Sequence, residues 1–163
     1  MNVLQFDNEE KEVLRALSEV TVPKNVQRIF LRNNNLSVVP DLLSGFVNTV
    51  EIALDNNPLV KLGDELCGFK HLRVLFLQGC ELETLPQGVG RLKNLEHFSA
   101  ENNKLMHLPT SFLNLVNLQM LWLGNNLLRS IPCLPSLTKL ERLPVLLTLR
   151  INWTKLLKAW TGT

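Results

Sequence analysis

The stretch LRVLFLQGCELETLPQGVGRLKN, residues 72–94, matches itself when slid 23 residues in either direction. Its apolar side chains fall at Leu72, Leu75, Leu77, Leu82, Leu85, Val89 and Leu92, with Pro86 directly after Leu85. One step downstream the same slots hold Leu95, Phe98, Ala100, Leu105, Leu108, Phe112 and Leu115, with Pro109 in place. One step upstream they hold Thr49, Ile52, Leu54, Leu59, Leu62, Leu66 and Phe69; two steps upstream, Val26, Ile29, Leu31, Leu36, Val39, Leu43 and Phe46, with Pro40. A last copy gives Leu118, Leu121, Leu123, Leu128 and Ile131, with Pro132. A fixed period in this range describes stacked units, each burying its apolar side chains against its neighbours.

The pattern LxxLxLxx(N/C)xL over residues 26–137 resembles that of leucine-rich repeat proteins. The Leu-Pro pair resembles the 23-residue class of Ras-suppressor-type intracellular scaffolds and of many bacterial repeat proteins. The resemblance implies an α/β solenoid, a right-handed horseshoe with a parallel β-sheet on its concave face and short helical, 3-10 or irregular segments on its convex face. It also implies an interaction surface rather than a reaction, with a small GTPase, a phosphatase or a cytoskeletal scaffold as the protein partner. The expected organisation is a capping helix in residues 1–25, five repeats starting at 26, 49, 72, 95 and 118, and a degenerate repeat with a cap or helix in 138–163.

The chain has 163 residues, with 17 basic and 15 acidic side chains and a net charge of +2. No basic stripe runs through the repeats, which argues against nucleic acid as a partner. The start, MNVLQFDNEEKEVL, places acids where a signal peptide carries a basic start and an unbroken apolar run. No apolar run reaches the roughly 18 residues of a membrane span. A cytoplasmic location is expected, without a membrane partner. Extracellular members of the resembled family cluster their cysteines at the end caps, whereas Cys67, Cys80 and Cys133 are scattered. Asn35-Leu36-Ser37 and Asn152-Trp153-Thr154 fit the glycosylation rule but read as chance matches without a secretory route.

The segment DNEEKEVLRALSEV, residues 7–20, reads as a helix with Asp7 at its N-cap and Glu10 as the capping-box partner. Val13, Leu14, Leu17 and Val20 share one face, which is expected to cover the open end of the first repeat. After each strand comes a residue at strict 23-residue spacing: Asn34, Asn57, Cys80, Asn103 and Asn126. An asparagine there can donate to and accept from backbone groups that the turning chain would leave buried, so this ladder is expected to be structural. The prolines favour a short 3-10 return on the convex side. The second unit has Gly63 in the proline slot and Thr49 at its first leucine, so local looseness is expected there.

After Pro132 the register fails, and leucines at 134, 137, 140 and 143 recur every third residue. A shortened fifth repeat running into a degenerate sixth explains this. In the final INWTKLLKAWTGT, Trp153, Leu156, Leu157 and Trp160 fall on one helical face. That helix reads either as a cap over the last repeat or, given Lys139, Arg142, Arg150, Lys155 and Lys158 against the single acid Glu141, as an interfacial helix for an anionic membrane or acidic partner. A tail replaced through an altered reading frame is a third reading. With both ends capped the chain is expected to be a monomer.

Strand side chains alternate faces, so Leu75 and Leu77 point inward while Val74, Phe76 and Gln78 point outward. Across the repeats the central outward column is Phe30, Ala53, Phe76, Ser99 and Trp122. The columns beside it hold Arg28, Glu51, Val74, His97 and Met120 on one side, and Arg32, Asp55, Gln78, Glu101 and Gly124 on the other. The core does not require Phe76 or Trp122 to be aromatic, and aromatics rimmed by polar groups characterise binding hot spots. The competing reading is that aromatics suit strands or are covered by the tail. The expected partner-binding residues on the concave face are Phe30, Arg32, Glu51, Asp55, Val74, Phe76, Gln78, His97, Glu101, Met120 and Trp122. Their charges would set orientation and association rate.

No catalytic activity, cofactor or metal is expected. His71, His97 and His107 show no metal-ligand spacing, and no GxSxG, CxxC or phosphate-cradling loop is present. The reading is a non-enzymatic adaptor or recognition module that binds a protein on its concave face. Its rivals are a bacterial secreted or surface effector that binds host molecules, and a membrane-associated module that uses the basic tail.

Overall fold

The structure, a computed structural model, describes residues 2–9, 12–20, 23–130 and 137–141. Among the described residues, six three-residue strands lie in one parallel sheet in chain order: β1 (Val3–Gln5), β2 (Arg28–Phe30), β3 (Glu51–Ala53), β4 (Val74–Phe76), β5 (His97–Ser99) and β6 (Met120–Trp122). Their middle residues, Leu4, Ile29, Ile52, Leu75, Phe98 and Leu121, are partners across the whole sheet. All six are buried, because the two-residue strand period aims every middle side chain at the convex layer. The sheet is curved and unclosed, as a leucine-rich repeat solenoid requires.

The return on the convex side is 3-10 throughout the described repeats, at Asp41–Gly45, Leu66–Gly68, Gln87–Arg91 and Thr110–Asn114. Where proline precedes the turn, its fixed φ sets the entry and its carbonyl accepts the first bond. Leu43 N–H donates to Pro40 O at 3.0 Å, Val89 to Pro86 at 3.1 Å and Phe112 to Pro109 at 3.0 Å. These three returns are five residues long, whereas the unit with Gly63 in the proline slot has only the three-residue Leu66–Gly68. Between sheet and returns runs one continuous apolar core from Leu4 to Leu140. Thr49 fits into it because its hydroxyl donates to Phe46 O at 2.8 Å, leaving only its methyl to pack among the leucines.

The amino-terminal segment departs from the helix expected over 7–20. Residues 3–5 form β1, which adds to the edge of β2, and the helix α1 is confined to Val13–Ser18. Asp7 is not its N-cap; Glu12 stands there and makes no side-chain cap bond. Asp7 instead accepts from the Arg32 backbone N–H at 2.7 Å, which ties β1 to the turn after β2. Val13 and Leu17 are buried and α1 packs on the first 3-10 return, while Leu14 points outward, 53% exposed. Strand and helix thus form one more turn of the solenoid, with α1 in the slot that a 3-10 return fills elsewhere. At the other end, Leu137 and Leu140 are buried, and Glu141 N–H donates to Gln119 O at 2.9 Å. Gln119 bonds to Glu96 in the same way, so the stacking continues past β6 one residue short of the 23-residue period. The helix expected around Trp153 to Trp160 lies outside the described residues.

Candidate functional site: the concave wall

Each strand is closed by the same turn, and the turn sets how its outward side chains stand. Asn33, Asn56, Gly79, Asn102 and Asn125 all have positive φ, between 52° and 65°. Only glycine and asparagine enter this region at low cost, hence the paired asparagines of the sequence. The next residue carries the buried bonds. Asn57 Oδ1 accepts from the N–H groups of Asn34 and Leu36, each at 3.0 Å, and its Nδ2 donates to the carbonyls of Leu31 and Leu54, each at 2.8 Å. Asn103 accepts from Leu82 and donates to Leu77 and Ala100; Asn126 accepts from Leu105 and donates to Ala100 and Leu123. Asn34 repeats the arrangement toward β1, accepting from Glu9 and donating to Phe6. Cys80 has only long thiol contacts, to Leu54 O at 3.5 Å and Gln78 O at 3.9 Å, and Leu59 N–H there turns back to Asn57 O at 2.7 Å.

A second polar ladder escaped the sequence reading. Nδ2 of Asn48, Asn94 and Asn117 donates to the carbonyls of Lys24, Lys70 and Lys93, 24 residues earlier in each case. The signal was available, because Asn25, Asn48, His71, Asn94 and Asn117 stand at the 23-residue period just before each first-leucine slot. These exposed rungs join neighbouring turns at the edge where each strand begins.

The turns hold the central column Gln5, Phe30, Ala53, Phe76, Ser99 and Trp122 in register. Ala53 is 0% and Ser99 6% exposed, although both face away from the core. Larger side chains on either side cover them, so Phe30, Phe76 and Trp122 form a ridge only half-buried. The His97 ring meets the Trp122 indole edge-on, with centroids 6.3 Å apart and planes at 88°. This contact braces the indole from the neighbouring column.

The charged columns are more committed than the sequence suggested. Arg32 lies over the Phe30 ring at 4.7 Å and pairs with Asp55 at 3.1 Å and Asp7 at 3.4 Å. The other Asp55 oxygen accepts from Gln78 N–H at 2.9 Å. Arg28 and Glu51 pair with each other at 3.3 Å. Glu101, by contrast, has no carboxylate partner among the described residues.

Of the sequence-derived set, Asp55, Phe76, Gln78, Glu101 and Trp122 come together with Ser99 around one pocket of 340 Å³. Phe30 and Arg32 lie apart, toward β1. Glu51, Val74, His97 and Met120 stand in the column on the opposite side of the aromatic ridge. Burial pushes the thiols of Cys67 and Cys80 up to about 11, with Asp64 adding to the shift at Cys67, so neither is ionised near neutrality. Among the described residues no helix is long and apolar enough to cross a membrane.

A family model described as leucine rich repeat matches residues 70–128. The chain is similar to a leucine-rich repeat protein of Leptospira interrogans, at 31% identity and a TM-score of 0.66, over 80% of this chain and 38% of that one. It is similar to the leucine-rich repeat ectodomain of the plant membrane receptor kinase GASSHO1/SCHENGEN3 from Arabidopsis thaliana, whose structure is a complex with Casparian strip integrity factor 2. There the identity is 28% and the TM-score 0.62, over 72% of this chain and 15% of that one. Listeria monocytogenes InlP shares the fold, at 20% identity and a TM-score of 0.59, over 67% of this chain and 30% of that one. The chain therefore spans well under half the length of each of these proteins. Comparison with curated proteins finds no match. The 23-residue period, the open parallel sheet and the family match agree, and the chain is a leucine-rich repeat protein.

Proposed function

We propose that the chain is a non-enzymatic adaptor or recognition module that binds a protein partner on its concave wall, with Phe76 and Trp122 as the anchors. The observation that carries this reading is the pair of half-buried aromatic rings on a face that the leucine core does not use. Removing either ring would leave the core intact, yet two such rings beside a pocket are the kind of group that contributes most to an interface. The family and the ectodomain complex among its structural neighbours support a protein-interaction module in general. The resemblance to Ras-suppressor-type scaffolds adds a small GTPase, a phosphatase or a cytoskeletal scaffold as partner. A reducing, cytoplasmic setting suits the buried unpaired thiols of Cys67 and Cys80.

The test is affinity capture from cell extract with the intact chain beside the Phe76→Ala/Trp122→Ala double variant, after matching their circular dichroism and melting. The expected result is a partner retained by the first and lost by the second. Equal capture by both sinks the concave wall as the binding surface.

A further inference from the structure

We infer that the pocket between Phe76 and Trp122 is a receptor for one basic side chain, arginine or lysine, presented by the partner segment. The assignment rests on the concave wall being the binding surface and specifies what that surface recognises. β4 and β6 stand two strand spacings apart, about 9–10 Å. Ser99 of the intervening β5 gives the slot a small, buried floor. Phe76 and Trp122 form its walls, and Gln78, Asp55 and Glu101 line its polar end. A gap of this width leaves room for one planar group between the two rings. Aromatic faces carry negative potential and attract a cation more than a neutral group of the same shape.

Charge decides between cation and anion. The column that ends the slot reads Asp7, Arg32, Asp55, Gln78, Glu101 and Gly124, three acids against one base. Arg32 is held by two of those acids and lies over Phe30, away from the slot. Asp55 already accepts bonds on both oxygens. Of the three acids in that column, Glu101 alone has an uncommitted carboxylate among the described residues, and it lines the same pocket as Trp122 and Phe76. An acidic segment would meet that charge unpaired, whereas a guanidinium or ammonium would meet both the rings and the carboxylate. A bidentate guanidinium gains more from this geometry than an ammonium does.

The probe is N-acetyl-arginine amide titrated into the intact chain, with the Trp122 indole N–H and the backbone N–H groups of Gln78 and Glu101 followed by nuclear magnetic resonance. N-acetyl-citrulline amide, of the same shape without the charge, is the control. The expected result is saturable movement of these signals by the arginine amide, binding about tenfold weaker for citrulline, and a similar loss in Glu101→Gln, in line with a cation–π and ion-pair contribution. Equal binding of citrulline, or binding unaffected by Glu101→Gln, overturns the assignment. A selection of random peptides on the intact chain separates this failure from that of the underlying reading. Peptides that depend on Phe76 and Trp122 yet share no basic residue overturn the cation pocket and leave the concave wall standing. Selected peptides indifferent to both rings overturn the wall as well.

Discussion

The turn after β4 and the turn after β5 follow the same path with different chemistry. After β5 the chain uses Asn102 in the left-handed position and Asn103 as the buried rung; after β4 it uses Gly79 and Cys80. Asn103 bonds to Leu82 N–H, Leu77 O and Ala100 O at 2.8–3.1 Å, while Cys80 reaches two carbonyls through long thiol contacts of 3.5 and 3.9 Å. Without the side-chain acceptor, the neighbouring loop folds on itself, with Leu59 bonding to Asn57. The comparison teaches that the solenoid needs the turn's shape at every repeat but tolerates one rung made of packing rather than hydrogen bonds. The wall depends on that shape, because these two turns set Gln78 and Glu101 at the polar end of the pocket.

The sharpest way to break the comparison is to remove the polar rung. Asn103→Ala strands one buried N–H, that of Leu82, and one buried carbonyl, Leu77 O, each worth about 1–3 kcal/mol when unpaired, while Ala100 O keeps its bond from Asn126. Partial relief by water leaves an expected loss of about 2–4 kcal/mol, read as a lower midpoint in urea unfolding. A loss below about 1 kcal/mol would mean that the asparagine rungs, like Cys80, are only space-fillers.

How far the sequence reaches can be judged from these same residues. The inward leucines, the asparagine rungs and the proline-led 3-10 returns are legible because each is a local requirement that repeats at a fixed spacing. β1 was missed because NVLQFDN precedes its partner by 25 residues, lacks the leading leucine, and is followed by acids that suggested a longer helix. The outward columns were readable by alternation, but their electrostatics were not. Whether Arg32 faces a partner or closes on Asp7 and Asp55 depends on β1 being present and on the turn geometry. The contrast between committed Asp55 and uncommitted Glu101 therefore appears only in three dimensions.

A smaller effect is expected at the left-handed position. Gly79→Ala places a Cβ in a backbone with φ of +65°, costing about 1–2 kcal/mol. The added carbon would also fall 2.3 Å from Asn56 Oδ1, the end of a side chain that can swing aside. Gly79→Asn should cost clearly less, because Asn33, Asn56, Asn102 and Asn125 hold the same conformation in the other turns. Equal melting of the two variants would show that asparagine gains nothing from its own polar side chain there.

The smallest effect sharpens the comparison from the thiol side. Cys80→Ala removes a buried sulfur and a weak donor but strands no strong acceptor bond, so about 1 kcal/mol is expected at neutral pH. Burial raises the Cys80 thiol to about 11, above the roughly 8.5–9 of an unfolded cysteine. The folded state therefore favours the neutral thiol, and unfolding above pH 9 is favoured by ionisation of the released one. The sign follows: the margin of the wild type over Cys80→Ala is full below about pH 9 and is lost as the pH rises toward 11. Taking the difference between the two proteins cancels the titration of the lysines, which both share. A margin that stays constant from pH 8 to 11 would show that Cys80 is not sealed from water, and that the turn after β4 is open where the turn after β5 is closed.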